Sequence, residues 1–382
     1  MASPMPFPFN LRENMFQEEQ PHYRIPALLY IQKSHTILAF AEQRGGEKDE
    51  SAKLIVMHRG TYNETTHAVQ WEKVKTIVKA PLGDHRPMNP CPVYDEVTGN
   101  VVLVFIAVEG NISEQHQLDK KENKARLCQV TSADNGVSWS PVTDLTDTDT
   151  VPKAWATFAV GPGHGLQLNN EVKSLVIPAH AYWIHENSSP SPHPFCFVSD
   201  DHGKTWKRGN FLSEKKAGEC QVVELRSQGK SVLYCNARSK ERARVQAVSY
   251  NEGRDFPSDQ QCKIQNLVEP PEGCHGSVIG FPRPAGVQSE EDTWVLYSHP
   301  IDRNERKDLG VYLNKEPLNP ESWTEPTVIY KGYCAYSDLQ YMGPGPDGSP
   351  LFSCLFESGT KSNYEKILFF MFTLKQVFPY DC

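Results

Sequence analysis

The stretch Ser199-Asp-Asp-His-Gly-Lys-Thr-Trp206 follows the apolar run Pro194–Val198 and has the pattern Ser-x-Asp-x-Gly-x-Thr-Trp. Gly203 suits the positive φ of a tight turn, and the Asp201 carboxylate can accept hydrogen bonds from backbone N–H groups across that turn. Trp206 would anchor the next strand in an apolar core. The pattern therefore predicts a β-hairpin. An aspartate would close its turn by hydrogen bonds, and an indole ring would anchor its second strand in the core.

The same pattern occurs in two other places along the chain. Ser132-Ala-Asp-Asn-Gly-Val-Ser-Trp139 is a second copy, and Ser249-Tyr-Asn-Glu-Gly-Arg-Asp-Phe256 is a degraded third copy. The copies begin about 67 and about 50 residues apart, a spacing typical of β-propeller blades of four strands. The sequence therefore predicts an all-β propeller.

Composition supports one all-β domain. The 382 residues include 15 Tyr, 17 Phe, 7 Trp, 25 Gly and 29 Pro, which suits many short strands joined by turns. Apolar runs such as Val101–Val108 are long enough for a buried strand, whereas a transmembrane helix needs about 20 residues. No change in composition marks a domain boundary. We therefore predict a loosely held N-terminal segment, residues 1–22, and a single propeller domain, residues 23–382.

Charge and cysteine usage narrow the class of partner. The formal net charge of −8 argues against nucleic acid as a partner, although a local cationic pocket could still bind a small anion. The ten cysteines are scattered, without metal-ligand spacing, and the N-terminus lacks the pattern of a signal peptide. We therefore expect reduced thiols, no metal or cofactor, and a cytoplasmic location, with peripheral membrane attachment as the alternative.

The three repeats resemble the Asp boxes of sialidases, and Tyr23-Arg-Ile-Pro26 resembles the other signature of that family. The resemblance extends from about Tyr23 to Phe378 and is closest to the animal cytosolic exo-α-sialidase (neuraminidase), with some features of the membrane-associated ganglioside sialidase. It implies a six-bladed sialidase propeller with its active site at one end of the central axis. It also implies hydrolysis of terminal sialic acids from gangliosides, glycoproteins and oligosaccharides with retention of configuration.

Three arginines match the trio that binds the substrate carboxylate in this family: Arg24, Arg238 and Arg306. A planar guanidinium group binds a carboxylate through two parallel hydrogen bonds and stays charged at any relevant pH. Spacing alone does not unite these residues, because each one taken singly is more often a surface or structural arginine.

Three further residues match the family's catalytic groups. Tyr336 resembles the nucleophile, Glu219 the carboxylate that assists it, and Asp49 the general acid and base. Sialidases are an exception among glycosidases in using a tyrosine, and a neutral phenol avoids repulsion by the substrate's own carboxylate. Without the resemblance, an interior tyrosine with a satisfied hydroxyl is the preferred interpretation of Tyr336. Asp49 would then be a solvated aspartate within the charged segment 42–50, which we expect to be a loop.

The resemblance also implies orienting carboxylates and a substrate pocket. Glu357 would orient Arg24, and Glu42 would lie near Asp49. For Met88 and Ile106, ordinary core packing is as good an explanation as a place in the pocket. His180 and His275 occupy positions where animal relatives usually have Tyr and Gln, respectively. The predicted pocket residues are Ile25, Arg44, Met88, Asn89, Ile106, Glu114, His180, Tyr182 and His275.

Two other functions fit the same pattern. One is a non-catalytic propeller that binds sialoglycans, and the other is a transferase that passes the sialyl group to a sugar. The presence of Asp49, Glu219 and Tyr336 together favours an enzyme over a binding module. It does not separate hydrolysis from transfer, since both use the same covalent intermediate.

Overall fold

A computed structural model describes residues 12–16, 22–78, 83–186, 188–212, 216–227, 230–287, 289 and 291–381. Most of the predicted N-terminal segment lies outside these ranges, but residues 13–16 form a paired strand. The strands are β1 (Glu13–Phe16), β2 (His22–Ile31), β3 (Thr36–Arg44), β4 (Ala52–Asn63), β5 (Ala68–Trp71), β6 (Lys75–Val78), β7 (Arg86–Asp95), β8 (Asn100–Val108), β9 (Ala125–Ser132), β10 (Thr143–Asp144), β11 (Trp155–Val160), β12 (Leu166–Gln167), β13 (Leu175–Trp183), β14 (Ser191–Ser199), β15 (Lys207–Arg208), β16 (Cys220–Ser227), β17 (Lys230–Ala237), β18 (Ala243–Ser249), β19 (Gln261–Val268), β20 (Ser277–Pro282), β21 (Thr293–Pro300), β22 (Lys307–Asn314), β23 (Thr327–Pro344), β24 (Pro350–Gly359) and β25 (Lys366–Thr373).

Helices are few in the part of the chain that the structure describes. The α-helices are α1 (Glu114–Lys120) and α2 (Leu374–Val377), and 3-10 turns occur at Gln32–Ser34, Asp49–Ser51 and Ser258–Gln260. Among the described helices, none has the length and apolar character needed to cross a membrane.

The strands form antiparallel sheets of blade size. Four sheets contain four or five strands each, namely β2–β6, β7–β10, β11–β15 and β16–β19. A seven-stranded sheet has the order β1-β25-β24-β23-β22-β21-β20. Its long strand β23 pairs with β22 through residues 327–333 and with β24 through residues 333–344. The fold is therefore all-β, as predicted, with a propeller-like arrangement of sheets.

The innermost strands close a ring around the central axis. Contacts run from β2 to β7, β12, β16, β20, β23 and back to β2. The backbone N–H groups of Leu28 and Tyr30 on β2 donate to the side chains of Asp338 (2.7 Å) and Gln340 (3.1 Å) on β23. These side chains satisfy strand-edge donors that would otherwise be buried without a partner.

The core consists of apolar layers between neighbouring sheets. Phe40 and Phe105 belong to the layer between the first two sheets, and Phe195 belongs to the next layer. A further layer, which includes Leu296 and Phe352, lies between the two halves of the seven-stranded sheet. Burial of these side chains supplies the main free energy that holds the sheets together.

The predicted Asp-box turns have one shared hydrogen-bond pattern. The Ser199 hydroxyl accepts from the Gly203 N–H (2.8 Å), and Asp201 accepts from the N–H (2.9 Å) and hydroxyl (2.7 Å) of Thr205. The glycines of the three copies have φ values of 84°, 81° and 82°. The degraded copy keeps the pattern because Asn251 Oδ1 replaces the carboxylate oxygen and accepts from the Asp255 N–H (2.9 Å). The three repeats are therefore structural equivalents.

Candidate active site

Two strained bulges shape the site end of the inner strands β2 and β7. Ile25 has φ 59° and Asn89 has φ 56°, and each precedes a proline. Positive φ is a genuine outlier for a β-branched residue and persists only where neighbouring groups hold it. The Ile25 N–H donates to Glu357 (2.9 Å), and the Asn89 N–H donates to Glu42 (2.6 Å). Buried carboxylates on other strands therefore hold both bulges in place.

Arg24 is fixed by Glu357 and two tyrosine rings. Its Nε and Nη2 atoms donate to the two carboxylate oxygens of Glu357 at 2.9 and 3.3 Å, and Glu357 also accepts from the Tyr336 N–H at 3.1 Å. The guanidinium carbon lies 3.8 Å from the ring centroid of Tyr364 and 5.5 Å from that of Tyr336. Burial opposes the charge, but Glu357, Tyr364 and Tyr336 together outweigh it and raise the pKa of Arg24 above its usual value.

Tyr336 and Glu219 form a hydrogen-bonded pair that Arg238 bridges. The Tyr336 hydroxyl donates to Glu219 at 2.5 Å, and Arg238 Nη1 lies 2.5 Å from Glu219 and 2.9 Å from the Tyr336 hydroxyl oxygen. Burial opposes ionisation of Glu219, yet Arg238 and the buried histidines hold its pKa at about 2. Burial and the nearby Glu219 carboxylate raise the pKa of Tyr336 well above its usual value. The resting pair is therefore a neutral phenol donating to a carboxylate.

The third predicted arginine lies beside the same phenol. The guanidinium carbon of Arg306 is 5.7 Å from the Tyr336 ring centroid. Its Nη atoms donate to the Tyr364 hydroxyl (3.2 Å) and to the Gly273 carbonyl (2.8 Å). Arg24, Arg238 and Arg306, separated by 68 to 282 residues in the chain, thus meet around one tyrosine.

Asp49 lies in a second charged group at the end of β3. Arg44 donates to Glu42 at 2.5 and 2.9 Å and to Asp49 at 2.6 Å. The side chains of Glu42 and Arg44 are buried, whereas that of Asp49 is 58% exposed. The prediction that segment 42–50 is a loop is therefore wrong for residues 42–44, which belong to β3. Their charges are buried because they neutralise each other.

Polar groups of α1 and β13 form one side of the site. The Tyr182 hydroxyl donates to Glu114 at 3.3 Å. Loss of solvation in the cleft, with repulsion by Glu219 and Asp49, raises the pKa of the Glu114 carboxyl to about 7. Glu114 is the first residue of the short helix α1.

Two buried imidazoles lie near Glu219. Burial lowers the pKa of His180 to about 4 and that of His275 to about 3. The centroid of the His275 ring lies 5.2 Å from that of the Tyr336 ring, and neither of its nitrogen atoms has a hydrogen-bond partner among the described residues. Both histidines are therefore neutral near pH 7.

Met88 and Ile106 face each other across β7 and β8. Both are buried members of the apolar layer between the second and third sheets. Core packing accounts for their positions, and their predicted role in lining the substrate pocket stays a prediction.

Several side chains at the site carry no recognisable sequence signal. Tyr364 contacts Arg24 and Arg306 from the turn between β24 and β25. Arg86 donates to the carbonyls of Gly110 and Ile112 (2.5 Å for the latter), which fixes the approach to α1. Within the described ranges, no group of three or more His, Cys, Asp or Glu side chains could hold a metal ion.

The fold and the site define a β-propeller protein with a tyrosine–carboxylate pair enclosed by three guanidinium groups. The sequence model of the BNR repeat-like domain matches residues 35–346. Sialidase-2 from Mus musculus is 53% identical over 371 residues, covering 96% of both chains, and Sialidase-3 from Bos taurus is 40% identical over 416 residues, covering 96% of this chain and 94% of the relative. The chain therefore belongs to the sialidase family and is an exo-sialidase, a glycoside hydrolase.

The fold is also shared with a more distant solved structure. The intramolecular trans-sialidase from Ruminococcus gnavus, in complex with oseltamivir carboxylate, superposes with a TM-score of 0.74 at 15% identity. The match covers 95% of this chain and 98% of that one. At this identity, the likeness concerns the fold.

Proposed function

We propose that this exo-sialidase removes terminal α-linked sialic acids with retention of configuration, using Tyr336 as nucleophile, Glu219 as its base and Asp49 as general acid and base. The observation that carries the proposal is the 2.5 Å hydrogen bond from Tyr336 to Glu219 beneath the Arg238 guanidinium. A phenol becomes a competent nucleophile when an adjacent base takes its proton as the new bond forms.

In the first step, the phenolic oxygen of Tyr336 forms a bond to the anomeric carbon, and Glu219 takes the phenolic proton. The bond from that carbon to the glycosidic oxygen breaks, and the leaving oxygen takes a proton from Asp49 in its protonated form. The products of this step are a covalent sialyl-enzyme, in which the Tyr336 oxygen is bonded to the anomeric carbon as an aryl glycoside, and a free aglycone. The guanidinium groups of Arg238 and Arg306 favour the developing phenolate because they lower the pKa of Tyr336, against the effects of burial and Glu219.

In the second step, Asp49 takes a proton from water while the water oxygen forms a bond to the anomeric carbon. The bond from that carbon to the Tyr336 oxygen breaks, and Glu219 returns the proton to the phenolate. Each step inverts the configuration at the anomeric carbon, so the two steps together retain it.

The three arginines would bind the substrate carboxylate. Arg24, Arg238 and Arg306 surround Tyr336, and a carboxylate on the anomeric carbon would place the reacting centre over the phenol. Charged and geometrically matched hydrogen bonds of this kind are among the strongest that proteins form. Ile25, Met88, Asn89, Ile106, Glu114, His180, Tyr182 and His275 would contact the rest of the sugar.

We also propose that the propeller has six blades. The seven-stranded sheet would count as two blades that share β23, since its strands β20–β22 and β24, β25 and β1 lie on either side of that strand. An apolar layer between its two halves supports this division. The outer strand of the last blade would then be β1, which pairs with β25.

The molecules that carry the sialic acid and the cellular location of the enzyme form a separate part of the proposal. Membership of the sialidase family implies that the substrates are sialylated glycoconjugates. We propose gangliosides, glycoproteins and oligosaccharides as the specific carriers of the sialic acid. We propose a cytoplasmic location, with peripheral membrane attachment as the alternative. The nine cysteines that the structure describes are all free thiols, which supports a reducing compartment.

The test is release of fluorophore from an aryl α-sialoside between about pH 3.5 and 8, which spans the carboxylate and histidine range. Turnover by the wild type and its loss in Tyr336→Phe are expected. Proton NMR of the first-formed sialic acid should show the α-anomer, and added lactose would reveal transfer as sialyllactose. A β-anomer as first product, or full activity of Tyr336→Phe, would exclude the tyrosine as nucleophile.

A further inference from the structure

The segment from Glu269 to His275, here called the 269–275 loop, supports two of the three arginines. Arg238 donates to the Glu272 carbonyl through Nε (3.1 Å) and Nη2 (2.7 Å). Arg306 donates to the carbonyl of the next residue, Gly273, at 2.8 Å. Two consecutive backbone carbonyls therefore set the orientation of two guanidinium groups.

The carbonyls point at the arginines because of the turn that carries them. The Gly273 N–H donates to the Pro270 carbonyl at 2.9 Å, which closes a four-residue turn. Glu272 and Gly273 have φ values of 65° and 69°. A non-glycine residue at positive φ is uncommon, so the conformation needs support from its surroundings.

That support comes from Glu269, which lies beneath the loop and is 1% exposed. One of its carboxylate oxygens accepts from the Cys274 N–H at 2.9 Å and lies 3.1 Å from His299 Nε2. The other accepts from Arg244 at 2.8 Å and from the Ser239 N–H at 3.1 Å. Ser239 directly follows Arg238, so one carboxylate ties the loop to the backbone beside the arginine that the loop holds.

Arg244 completes this buried network. Besides Glu269, it donates to the Cys274 carbonyl at 2.8 Å and to Asn236 Oδ1 at 2.7 Å, and it is fully buried. Removing the Glu269 charge would leave the Arg244 guanidinium buried without its counter-ion and the Cys274 N–H without a full partner. Such a change would be relieved most easily by movement of the loop, because Pro271 and Glu272 at its tip are exposed.

We propose that Glu269 is a positioning residue for Arg238 and Arg306, acting through the 269–275 loop without touching the substrate. The inference rests on the proposed function, in which these two arginines bind the substrate carboxylate. Its consequence is specific: loss of Glu269 should weaken recognition of the carboxylate more than recognition of the rest of the sugar.

The experiment compares inhibition by 2,3-dehydro-2-deoxy sialic acid with inhibition by its methyl ester. The ratio of the two inhibition constants reports recognition of the carboxylate, and a lower fraction of folded enzyme does not change it. For Glu269→Gln, we expect the preference for the acid to fall by about tenfold or more, the order of one charged hydrogen bond. KM for the aryl sialoside should rise more than kcat falls.

Asp95→Asn is the matched control. Asp95 is also a fully buried carboxylate, but it ends β7 away from the site and accepts from Thr98 and Gln167. Its variant should keep the wild-type ratio. If Glu269→Gln is not recovered folded, His299→Gln tests the same network, because it leaves the Glu269–Arg244 pair intact and should shift the ratio in the same direction by less.

The outcomes separate the two proposals. A wild-type enzyme without preference for the acid would contradict carboxylate binding by the arginines, and with it the proposed function. A clear wild-type preference that Glu269→Gln or His299→Gln leaves unchanged would overturn the role of Glu269 alone. An equal loss in Asp95→Asn would also overturn it, because the effect would then be general.

Discussion

Replacing Glu357 with glutamine tests how the buried carboxylate holds Arg24. Glu357 is fully buried and accepts four hydrogen bonds, from Arg24 Nε (2.9 Å) and Nη2 (3.3 Å) and from the N–H groups of Ile25 (2.9 Å) and Tyr336 (3.1 Å). Glutamine keeps the shape but has one acceptor oxygen, and its amide group would face N–H donors on the other side. The substitution therefore removes the counter-ion of Arg24 and creates donor–donor contacts.

The expected magnitude follows from this geometry. Leaving one partner of a buried ion pair uncompensated costs about 3–5 kcal/mol. Because Arg24 is only 7% exposed, water cannot replace the lost partner without rearrangement. We expect the free energy of unfolding to fall by about 3 kcal/mol or more. A guanidinium group that is no longer aligned should also lose a charged hydrogen bond to substrate, about 1.5–3 kcal/mol, or about ten- to a hundredfold in kcat/KM.

Urea unfolding and kcat/KM on an aryl α-sialoside measure the two effects separately. Asp95→Asn again serves as control, since it should lose stability while the folded enzyme keeps its kcat/KM. Glu357→Gln with an unfolding free energy within about 0.5 kcal/mol of the wild type, the range of ordinary surface changes, would refute the assigned ion pair. Unchanged kcat/KM in a destabilised variant would refute the link from Glu357 to catalysis.

Two further predictions concern the buried imidazole and the turn glycine. Burial lowers the pKa of His275 to about 3. Between this pKa and that of the unfolded chain, His275 binds a proton only in the unfolded chain. The contribution of neutral His275 to stability is therefore present above about pH 6.5 and is lost as the pH falls. His275→Gln should reduce the loss of unfolding free energy between pH 7 and 5 by about 2 kcal/mol in urea titrations, and an unchanged loss would contradict neutral burial. Gly273→Ala should lower both thermal stability and kcat/KM. A Cβ atom at position 273 would lie 2.7 Å from the Ser239 carbonyl oxygen and 2.9 Å from Arg238 Cγ, and the residue would have to keep a φ of +69°. Gly348 has φ +80°, and no atom of the described residues lies within 4 Å of its Cβ position. Gly348→Ala should therefore lower stability alone, and an equal loss of kcat/KM in this variant would show that backbone strain suffices.

The propeller could be predicted because its decisive contacts are local. In each Asp box, the serine, the acidic or amide residue and the glycine bond to one another within a few residues, so the pattern is visible in the sequence. Even the copy built on Asn251 and Phe256 keeps its hydrogen bonds and its buried aromatic ring, because an amide oxygen accepts as a carboxylate does.

The site depends on contacts that no local pattern records. Arg24 meets Glu357 across 333 residues, and Arg238 meets Tyr336 across 98. Only the family resemblance could place them together, and it named the residues that the structure brings together around Tyr336. It did not name Tyr364, whose ring packs against the Arg24 guanidinium group. Nor did it name Glu269, which acts on Arg238 and Arg306 through a backbone turn.

Charge in a sequence also misleads about exposure. The segment 42–50 is rich in acidic and basic residues, so composition favours a solvated loop, yet Glu42 and Arg44 are buried at 0% and 1% exposure. They can be buried because each is the other's counter-ion and because Glu42 also accepts the Asn89 N–H. The pairing partner, which composition does not reveal, decides whether a charged residue is inside.

Pairing also explains how a chain of net charge −8 can bind an anion. Arg24 is neutralised by Glu357, Arg238 by Glu219, and Arg44 by Glu42. Arg306 differs, because over the described ranges it has no carboxylate partner and donates instead to the Gly273 carbonyl and the Tyr364 hydroxyl. Its charge is therefore the one that a substrate carboxylate would neutralise. The paired arginines supply geometry, and Arg306 supplies the unbalanced charge, so the local field at Tyr336 is set by pairing and not by the net charge of the protein.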